Sequence, residues 1–231
     1  MWNDSQLTTL LEQVRVGETD PAEALRRLKE SARALPTKFL EEAAVDLDRV
    51  ARCGYAEVIY AEGKSTETVV DIFGTLLENG QDALATRVNT EQANALTQAF
   101  TDAIHHSQGR TVRLNQNQDP RPTKVAVIAA GTTDLPVAWE AVETLRWMRL
   151  PTDLIADVGV AGPQRLPSQL DRFQDADAIV VVAGMEGALP SVVGGYVSCP
   201  IVAVPTSVGY GANFDGLAAL LSMMNSCASN V

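Results

Sequence analysis

The sequence is poor in positive charge, and its second half has almost none. The 231 residues include 18 Lys and Arg against 29 Asp and Glu, a formal net charge of -11. No Lys or Arg follows Arg172, and both histidines, His105 and His106, lie in the first half. Proteins bind nucleic acid largely by neutralising its phosphates, so this charge disfavours a nucleic-acid partner. An anionic ligand in the second half would depend on backbone N–H groups, helix N-termini, a metal ion, or basic residues from the first half or another subunit.

Cysteines and long apolar runs are also scarce. The three cysteines, Cys53, Cys199 and Cys227, are odd in number and far apart, which argues against a disulfide framework or a zinc knuckle. No segment reaches the roughly eighteen uninterrupted apolar residues that span a bilayer. The N-terminal residues include acids and no basic, apolar run. We therefore expect no signal peptide, no membrane partner and a cytoplasmic protein.

The chain divides into four predicted parts. Its hydrophobic content of 46% is enough to bury a full core. Residues 1–45 have the apolar spacing of a helical segment, and residues 46–114 alternate strand and helix patterns that predict a small α/β domain. Residues 115–123 form a polar, proline-containing linker, and residues 124–231 form a second α/β domain.

The second domain repeats a strand followed by a turn and a helix. Ala178–Ala183 is an apolar run rich in β-branched residues, typical of a strand that is buried on both faces of a parallel sheet. Four predicted strands end in turns with the sequences GTTDLP, AGPQR, AGMEGALP and PTSVGYGA. This repetition predicts a doubly wound, mostly parallel sheet flanked by helices. Ligands bind at the carboxyl edge of such sheets, so we expect the turns to border one crevice.

The first of these turns is a candidate anion cradle. Gly131, Thr132 and Thr133 present N–H and hydroxyl donors at a helix N-terminus, which suits a carboxylate or a phosphate. Asp134 is expected to cap the helix that follows. The sequence contains no P-loop motif and no G-x-G-x-x-G after a strand, which disfavours a P-loop kinase or a Rossmann dehydrogenase.

The other turns supply the remaining candidates. Glu186 stands in the third turn between glycines that allow a close backbone approach. Lys64 and Arg87 each follow a strand of the small domain directly, and they are the natural source of the missing positive charge. The pair His105-His106 could bind a metal, but a surface loop is the preferred interpretation. The further substrate-binding candidates are turn residues, namely Gly162, Gln164, Gly184, Met185, Gly187, Ser207 and Gly209.

Several of these motifs together resemble one family. The turns GTTDLP and AGMEGALP and the C-terminal PTSVGYGANFDGLAALLSMMNSC look like those of LarB, the pyridinium-3,5-biscarboxylic acid mononucleotide synthase of nickel-pincer cofactor biosynthesis. The C-terminal domain of that family is similar to the PurE type of aminoimidazole ribonucleotide (AIR) carboxylase. AEVIYAEGK and ALATRV match its N-terminal part, so the resemblance runs from about Asp46 to the end of the sequence.

The resemblance implies a reaction and roles for particular residues. The family carboxylates the pyridinium ring of nicotinic acid adenine dinucleotide with CO2 and splits the phosphoanhydride to release AMP, with Mg²⁺. Cys227, at the NSC position, would add to the ring as a thiolate. Glu186 would bind Mg²⁺ or remove the ring proton. Asp134 is the third catalytic candidate, and its turn would hold CO2 or a carboxylate, while Lys64 and Arg87 would meet phosphates.

One departure from the family keeps a second function open. The family has histidine in the pattern AG-x-H-R where this sequence has Gln164, and glutamine carries no proton at neutral pH. The alternative is a catalytically reduced or inactive AIR-carboxylase-like protein with a regulatory role, since cyanobacterial members of the family are named circadian phase modifiers. Carboxylation of a purine precursor is a third option. The resemblance also implies a homo-oligomer, with an octamer expected.

Overall fold

The computed structural model describes residues 4–33, 37–117 and 119–231. Residues 1–3 and 34–36 of the expected helical segment, and residue 118 of the expected linker, lie outside the described residues. Among the described residues, no helix has both the length and the apolar character that crossing a membrane requires.

The N-terminal segment is helical only in part. Helices α1 (Asp4–Arg15) and α2 (Pro21–Arg33) are followed by an antiparallel hairpin of β1 (Thr37–Phe39) and β2 (Ala44–Asp46). A helical segment up to residue 45 was therefore wrong beyond α2. Val45 on β2 is buried in the core of the small domain, and this tertiary burial favours a strand over the local helical spacing.

The small domain contains a four-stranded mixed sheet. Its elements in chain order are α3 (Arg49–Cys53), β3 (Val58–Tyr60), α4 (Thr66–Glu78), β4 (Ala83–Thr86), α5 (Thr90–Ala99), β5 (Ile104–His106) and β6 (Thr111–Leu114). The strand order is β3-β4-β6-β5, with β3 and β4 parallel and β6 antiparallel to both its neighbours. His105 and His106 lie on β5, so the expected surface loop was wrong. Their backbone pairing with Val112 and Thr111 of β6 outweighs the polar local composition.

Local signals begin the two long helices of the small domain. The side chain of Ser65 accepts a hydrogen bond from the backbone N of Thr68 and caps α4. Asn89 and Gln92 form a capping box at the start of α5, where each side chain binds the other residue's backbone N–H. Phe73 of α4 and Leu96 of α5 are fully buried against the sheet.

The second domain is built on a four-stranded parallel sheet, as predicted. Its elements are β7 (Val125–Ala129), α6 (Leu135–Trp147), β8 (Thr152–Ile155), α7 (Leu170–Phe173), β9 (Ala178–Ala183), α8 (Leu189–Gly194), β10 (Ile201–Pro205) and α9 (Leu217–Met224). All neighbouring strands are parallel, in the order β10-β9-β7-β8. One face packs against Ala138 and Val142 of α6, and the other against Phe173, Leu189 and Met223 of the remaining helices.

Helix α6 also joins the two domains, because residues of the small domain contact it along its length. The contacts follow one another from just beyond its C-terminal end: Arg149 with Asp82, Trp147 with Asn115, Glu143 with Arg113, and Glu140 with Arg87. Asp82 precedes β4 and Arg87 follows it, so β4 runs antiparallel to α6. Since α6 returns from the end of β7 to the start of β8, β4 and β7 run in the same direction. The carboxyl ends of β4 and β7 therefore face the same side of the molecule.

Candidate active site

A crevice of about 190 Å³ lies at the carboxyl edge of the parallel sheet. The turns after β7, β8 and β9 line it, and Val208 from the turn after β10 contributes to the wall. All four strand ends thus meet at one site, as the topology of such a sheet requires. The sequence candidates that line the crevice are Gly131, Thr133, Asp134, Gly184, Met185 and Glu186.

Asp134 is buried in the crevice wall, with 3% of its surface exposed. Its Oδ2 accepts a hydrogen bond from the backbone N of Gly131 at 3.0 Å, and its Oδ1 accepts one from Oγ1 of Thr206 at 2.7 Å. Within the described chain the side chain makes no capping hydrogen bond to α6, so that expectation was wrong. A short 3-10 turn, Thr132–Asp134, precedes α6 and directs the carboxylate back to Gly131. Asp134 therefore ties the turn after β7 to the turn after β10.

The turn after β10 supports the crevice from the outer strand. Thr206 is buried and donates its backbone N–H to the carbonyl of Ala183 at 3.0 Å. Sequence reasoning missed Thr206, although a hydroxyl directly after a buried strand was a usable signal. Ser207 and Gly209 do not line the crevice: the carbonyl of Ser207 accepts from Nδ2 of Asn213 at 2.9 Å, and a Cβ on Gly209 would lie 2.4 Å from Cγ of Asn213.

The turn after β9 brings Glu186 to the crevice. Met185 has a left-handed backbone, with φ of 51°, and its N–H donates to the carbonyl of Val208 at 2.7 Å. A Cβ on Gly184 would lie 2.2 Å from the same oxygen, so the approach of the two turns requires glycine. Gly187 has φ of 66° and packs against the backbone of Ala219 on α9. These contacts fix the turn around the exposed side chain of Glu186.

Gly159, Val160 and Ala161 in the turn after β8 line the crevice, whereas Gly162 and Gln164 do not. The backbone N of Gly159 donates to the carbonyl of Ala130 at 2.8 Å, which holds this turn against the first one. Arg165 folds over Gly162, because a Cβ there would lie 2.2 Å from its Nε. Gln164 is exposed to solvent. This glutamine is therefore not part of the crevice wall.

Cys227 lies away from the crevice in its own chain. Helix α9 passes the glycine turn near its start, where Ala219 contacts Gly187, and Cys227 follows the far end of the helix. Shortly after it, the carbonyl of Asn230 accepts from the backbone N of Ile201 at 2.8 Å, at the first residue of β10. The hydroxyl of Ser226, the residue before Cys227, lies 2.8 Å from that of Ser191 in the first turn of α8, which begins at the crevice. The thiol therefore lies outside the crevice wall, in a segment that runs alongside α8. It is exposed, and so is accessible to a second copy of the chain.

Lys64 and Arg87 lie at the carboxyl ends of the parallel strands of the small domain and do not line the crevice. The Nζ of Lys64 donates to the carbonyl of Tyr60 at 2.8 Å, and the Nε of Arg87 donates to Oε2 of Glu140 at 2.7 Å. Arg110, which sequence reasoning missed, joins them, because its guanidinium donates to the carbonyl of Arg87 at 2.9 Å. Three cationic side chains therefore share this edge.

An acid and a phenol accompany these cations. Tyr60 donates a hydrogen bond to Glu62, which raises the pKa of the Tyr60 hydroxyl and lowers the pKa of the Glu62 carboxyl. The guanidinium of Arg110 lies 3.7 Å from Glu62. The edge consequently has mixed charge, since Glu140 and Glu91 also lie there.

The crevice is poorly suited to a metal ion held by protein groups alone. The described residues contain no group of three or more His, Cys, Asp or Glu side chains that could hold a metal. Asp134 has both oxygens in hydrogen bonds, so Glu186 is the crevice carboxylate that faces a ligand. Mg²⁺ is commonly held by one or two carboxylates together with substrate phosphates. A Mg²⁺ ion held mainly by phosphates would therefore find Glu186 as the available carboxylate of this crevice.

Comparison with known proteins agrees with this architecture. Residues 37–117 match the LarB/PurE-like N-terminal domain, and residues 124–230 match the AIR carboxylase family. An uncharacterised protein of Methanocaldococcus jannaschii is 35% identical over 200 residues, which are 83% of this chain and 77% of that protein. The N5-carboxyaminoimidazole ribonucleotide mutase of the same organism is 32% identical over 101 residues, 42% of this chain and 59% of the mutase.

The fold and the crevice thus define an AIR-carboxylase-like α/β protein. The small domain that precedes the parallel sheet is the part that distinguishes it from an AIR carboxylase domain alone. The chain belongs to the LarB family, with a LarB/PurE-like N-terminal domain followed by a PurE-like domain.

Proposed function

We propose that this protein is an enzyme that carboxylates the pyridinium ring of nicotinic acid adenine dinucleotide with CO2 and cleaves its phosphoanhydride with water to release AMP. The observation that supports this best is the crevice of an AIR carboxylase domain in which a glycine turn brings Glu186 opposite the hydroxyl-bearing turn of Thr133. An AIR carboxylase domain supports CO2 chemistry, and the family supplies the pyridinium substrate.

The proposed chemistry replaces a ring C–H bond by a C–CO2⁻ bond. A thiolate adds to the electrophilic pyridinium and converts it to an electron-rich dihydropyridine, which forms a carbon–carbon bond with CO2. Loss of the ring proton to a base and departure of the thiolate then restore the aromatic ring. Glu186 is the base. The donors of Thr133, in the turn before α6, hold CO2 and then the new carboxylate, and Thr132 does not line the crevice.

The size of the crevice limits which part of the substrate it receives. At about 190 Å³ it is smaller than the roughly 300–1,000 Å³ of typical ligand pockets. It has room for a pyridine ring with its carboxylates, and the diphosphate and adenosine extend beyond it. The carboxyl end of β4 faces the same side of the molecule, so Lys64, Arg87 and Arg110 are the proposed source of cations for the phosphates.

A second copy of the chain is the proposed source of the thiol. Within one chain, Cys227 does not line the crevice. The outer side of the sheet exposes apolar side chains that favour association: Val202, Leu217, Leu220, Leu221 and Met224. A homo-oligomer, with an octamer as in the related carboxylases, would bring a neighbour's Cys227 to each crevice.

The reaction is tested by incubating the protein with nicotinic acid adenine dinucleotide, bicarbonate and Mg²⁺ and measuring AMP by chromatography. AMP and a carboxylated mononucleotide are expected, and Cys227→Ala should abolish carboxylation. Cys53→Ala is the matched control, because Cys53 is also an exposed cysteine but lies in the small domain. Burial raises the pKa of the Cys199 thiol, which disfavours its thiolate as an alternative nucleophile. Absence of AMP under all conditions would reject the proposed function.

Sharing of the site between copies is tested by complementation. Glu186→Ala and Cys227→Ala chains are each expected to be inactive, because one lacks the base and the other the nucleophile. When the two are co-expressed and purified together, mixed oligomers should regain activity, since an intact crevice then meets an intact thiol. Activity that does not return in mixed oligomers would contradict the shared site.

The association surface has its own test. Leu221→Glu should dissociate the oligomer in light scattering, whereas Leu11→Glu, another exposed leucine on α1, should leave it intact. A monomeric wild-type protein would argue against the proposed assembly.

A second candidate is a protein that binds the nucleotide without turnover and acts in regulation. The absence of Cys227 from its own crevice wall favours it, as does Gln164 in place of the family histidine. Calorimetry that shows dinucleotide binding in a protein that releases no AMP would support this candidate over the enzyme.

A further inference from the structure

A larger cavity, of about 510 Å³, lies between the two domains. Its wall includes Tyr55, residues 79–82 before β4, the segment around Arg121, and the residues that end α6. Helix α6 begins at the crevice and has 13 residues, so it separates the two places by roughly 20 Å. The cavity is therefore distinct from the crevice of the proposed carboxylation.

The charge of this cavity suits an anion. Arg121 and Arg149 face it together with the carboxylate of Asp82. The guanidinium of Arg121 lies 4.6 Å from the centroid of the Tyr55 ring and donates to its hydroxyl at 3.0 Å. The Nε of Arg149 is 3.9 Å from Oδ2 of Asp82, a long contact that leaves the guanidinium donors usable. The wall thus holds one net positive charge in a chain whose formal charge is -11.

Two buried polar atoms of the wall residues are unsatisfied. Within the described residues, Nε1 of Trp147 and Oε1 of Gln81 have no hydrogen-bond partner. The orientation of the Gln81 amide is fixed, because its Nε2 donates to the carbonyl of Leu47 at 2.7 Å. An unsatisfied buried polar group destabilises a folded chain, and a ligand that satisfies it gains affinity. One atom is a donor and the other an acceptor, and neither is exposed to the cavity. A ligand that offers both an acceptor and a donor would therefore satisfy them only after the wall shifts.

From these features we infer that the interdomain cavity is a binding site for an adenine mononucleotide. The adenine edge carries the N7 acceptor beside the N6 amino donor, which complements Trp147 and Gln81, whereas the same edge of guanine carries two acceptors. The phosphate pairs with Arg121 and Arg149. A volume of about 510 Å³ lies within the usual range for ligand pockets. Because the two unsatisfied atoms are shielded from solvent, binding includes a small shift of the wall. This inference is independent of the proposed reaction.

The test is calorimetric titration of the full chain with four probes. AMP is expected to bind, and GMP should bind about tenfold more weakly, because one of its acceptors would oppose Gln81. Adenosine and inorganic phosphate should each bind at least about tenfold more weakly than AMP, since each lacks one half of the recognition. Equal affinity for AMP and GMP, or no AMP binding, would overturn the inference.

Variants locate the bound AMP. Trp147→Phe keeps the ring and removes the N–H, and should weaken AMP binding by about two- to tenfold. Arg121→Gln should weaken it by about ten- to a hundredfold. Arg172→Gln is the matched control, because that arginine pairs with Asp153 on the surface away from the cavity. Affinity should be unchanged in this control.

A crevice variant separates the two sites. Thr133→Val changes the crevice and should leave the affinity for AMP unchanged. Loss of binding in Thr133→Val with full binding in Arg121→Gln would place AMP in the crevice and overturn the inference. Circular dichroism confirms that each variant is folded. Should Trp147→Phe fail to fold, Arg121→Gln still decides the question, because Arg121 is only partly buried. Failure of the carboxylation assay leaves this binding test unaffected.

Discussion

Replacing Thr206 by valine removes one hydrogen bond from the crevice wall at nearly constant side-chain volume. Thr206 donates to Oδ1 of Asp134 at 2.7 Å, and both residues are buried. The variant leaves a buried carboxylate oxygen without its partner, which costs about 1–3 kcal/mol. For a chain of this length, each kcal/mol lowers the melting temperature by about 2–4 °C. We therefore expect a decrease of about 2–12 °C.

A double-mutant cycle isolates this bond from other effects of the substitutions. Asp134→Ala loses the hydrogen bonds from both Thr206 and Gly131. Because a hydrogen bond to a charged group contributes about 1.5–3 kcal/mol, this variant should lower the free energy of unfolding by about 3–6 kcal/mol. Once Asp134 is alanine, Thr206→Val should cost little more. The expected coupling free energy between the two sites is about 1–3 kcal/mol.

The assay is urea denaturation of the wild type, both single variants and the double variant, followed by circular dichroism. Asp177→Ala is the control, because Asp177 also accepts a backbone N–H, from Lys124 at 2.7 Å, but is exposed. It should cost about 1 kcal/mol or less. Additive effects of Asp134→Ala and Thr206→Val, with equal m values, would refute the proposed link between the two turns.

Two further predictions concern the domain interface. Glu143→Gln removes the charge opposite the guanidinium of Arg113. The side chains of this pair, Glu143 and Arg113, are 2% and 14% exposed. The substitution should lower the free energy of unfolding by about 3–5 kcal/mol and the melting temperature by about 6–20 °C. Glu140→Gln breaks a more exposed ion pair on the same helix and should lower the free energy of unfolding by at most about 1 kcal/mol. Equal decreases in melting temperature for Glu143→Gln and Glu140→Gln in calorimetry would contradict the reasoning. Burial lowers the pKa of His106, whose Nδ1 accepts from a backbone N–H, so the unfolded chain takes up this proton at higher pH than the folded chain. The free energy of unfolding should therefore fall as pH decreases from the unfolded histidine value of about 6.5 toward the lower folded one. In urea denaturation at a series of pH values, His106→Gln should lose this pH dependence of the free energy of unfolding, whereas the control His105→Gln should keep it. Identical pH profiles for the two variants would contradict the prediction.

Much of the fold follows from local patterns in the sequence. The run Ala178–Ala183 is a strand because its apolar, β-branched residues leave no polar face. Ser65 begins α4 because its hydroxyl meets a backbone N–H within the same turn. Such features depend on neighbours along the chain, so they could be predicted without coordinates. The strands on which His105 and Val45 lie depend on distant pairing and burial, and the sequence misled there.

The candidate site shows the same division. The crevice around Thr133 and Glu186 was predictable, because parallel strands necessarily bring their carboxyl ends to one edge. The partner of Asp134 was not predictable, since Thr206 is far along the chain and its hydroxyl is aligned only by the packing of β7, β9 and β10. The absence of Cys227 from the crevice wall likewise depends on how α9 returns along the sheet.

The sequence by itself determined the two α/β parts, the parallel order of strand, turn and helix, and the residues offered at the strand ends, because these depend on side-chain periodicity and backbone preference. The tertiary structure alone decided which polar groups are satisfied. It joined Asp134 to Thr206, left Trp147 and Gln81 unsatisfied beside a cavity, and separated Cys227 from its own crevice. Hydrogen bonding requires two groups within about 3 Å, and only the packing of distant segments sets distances on that scale.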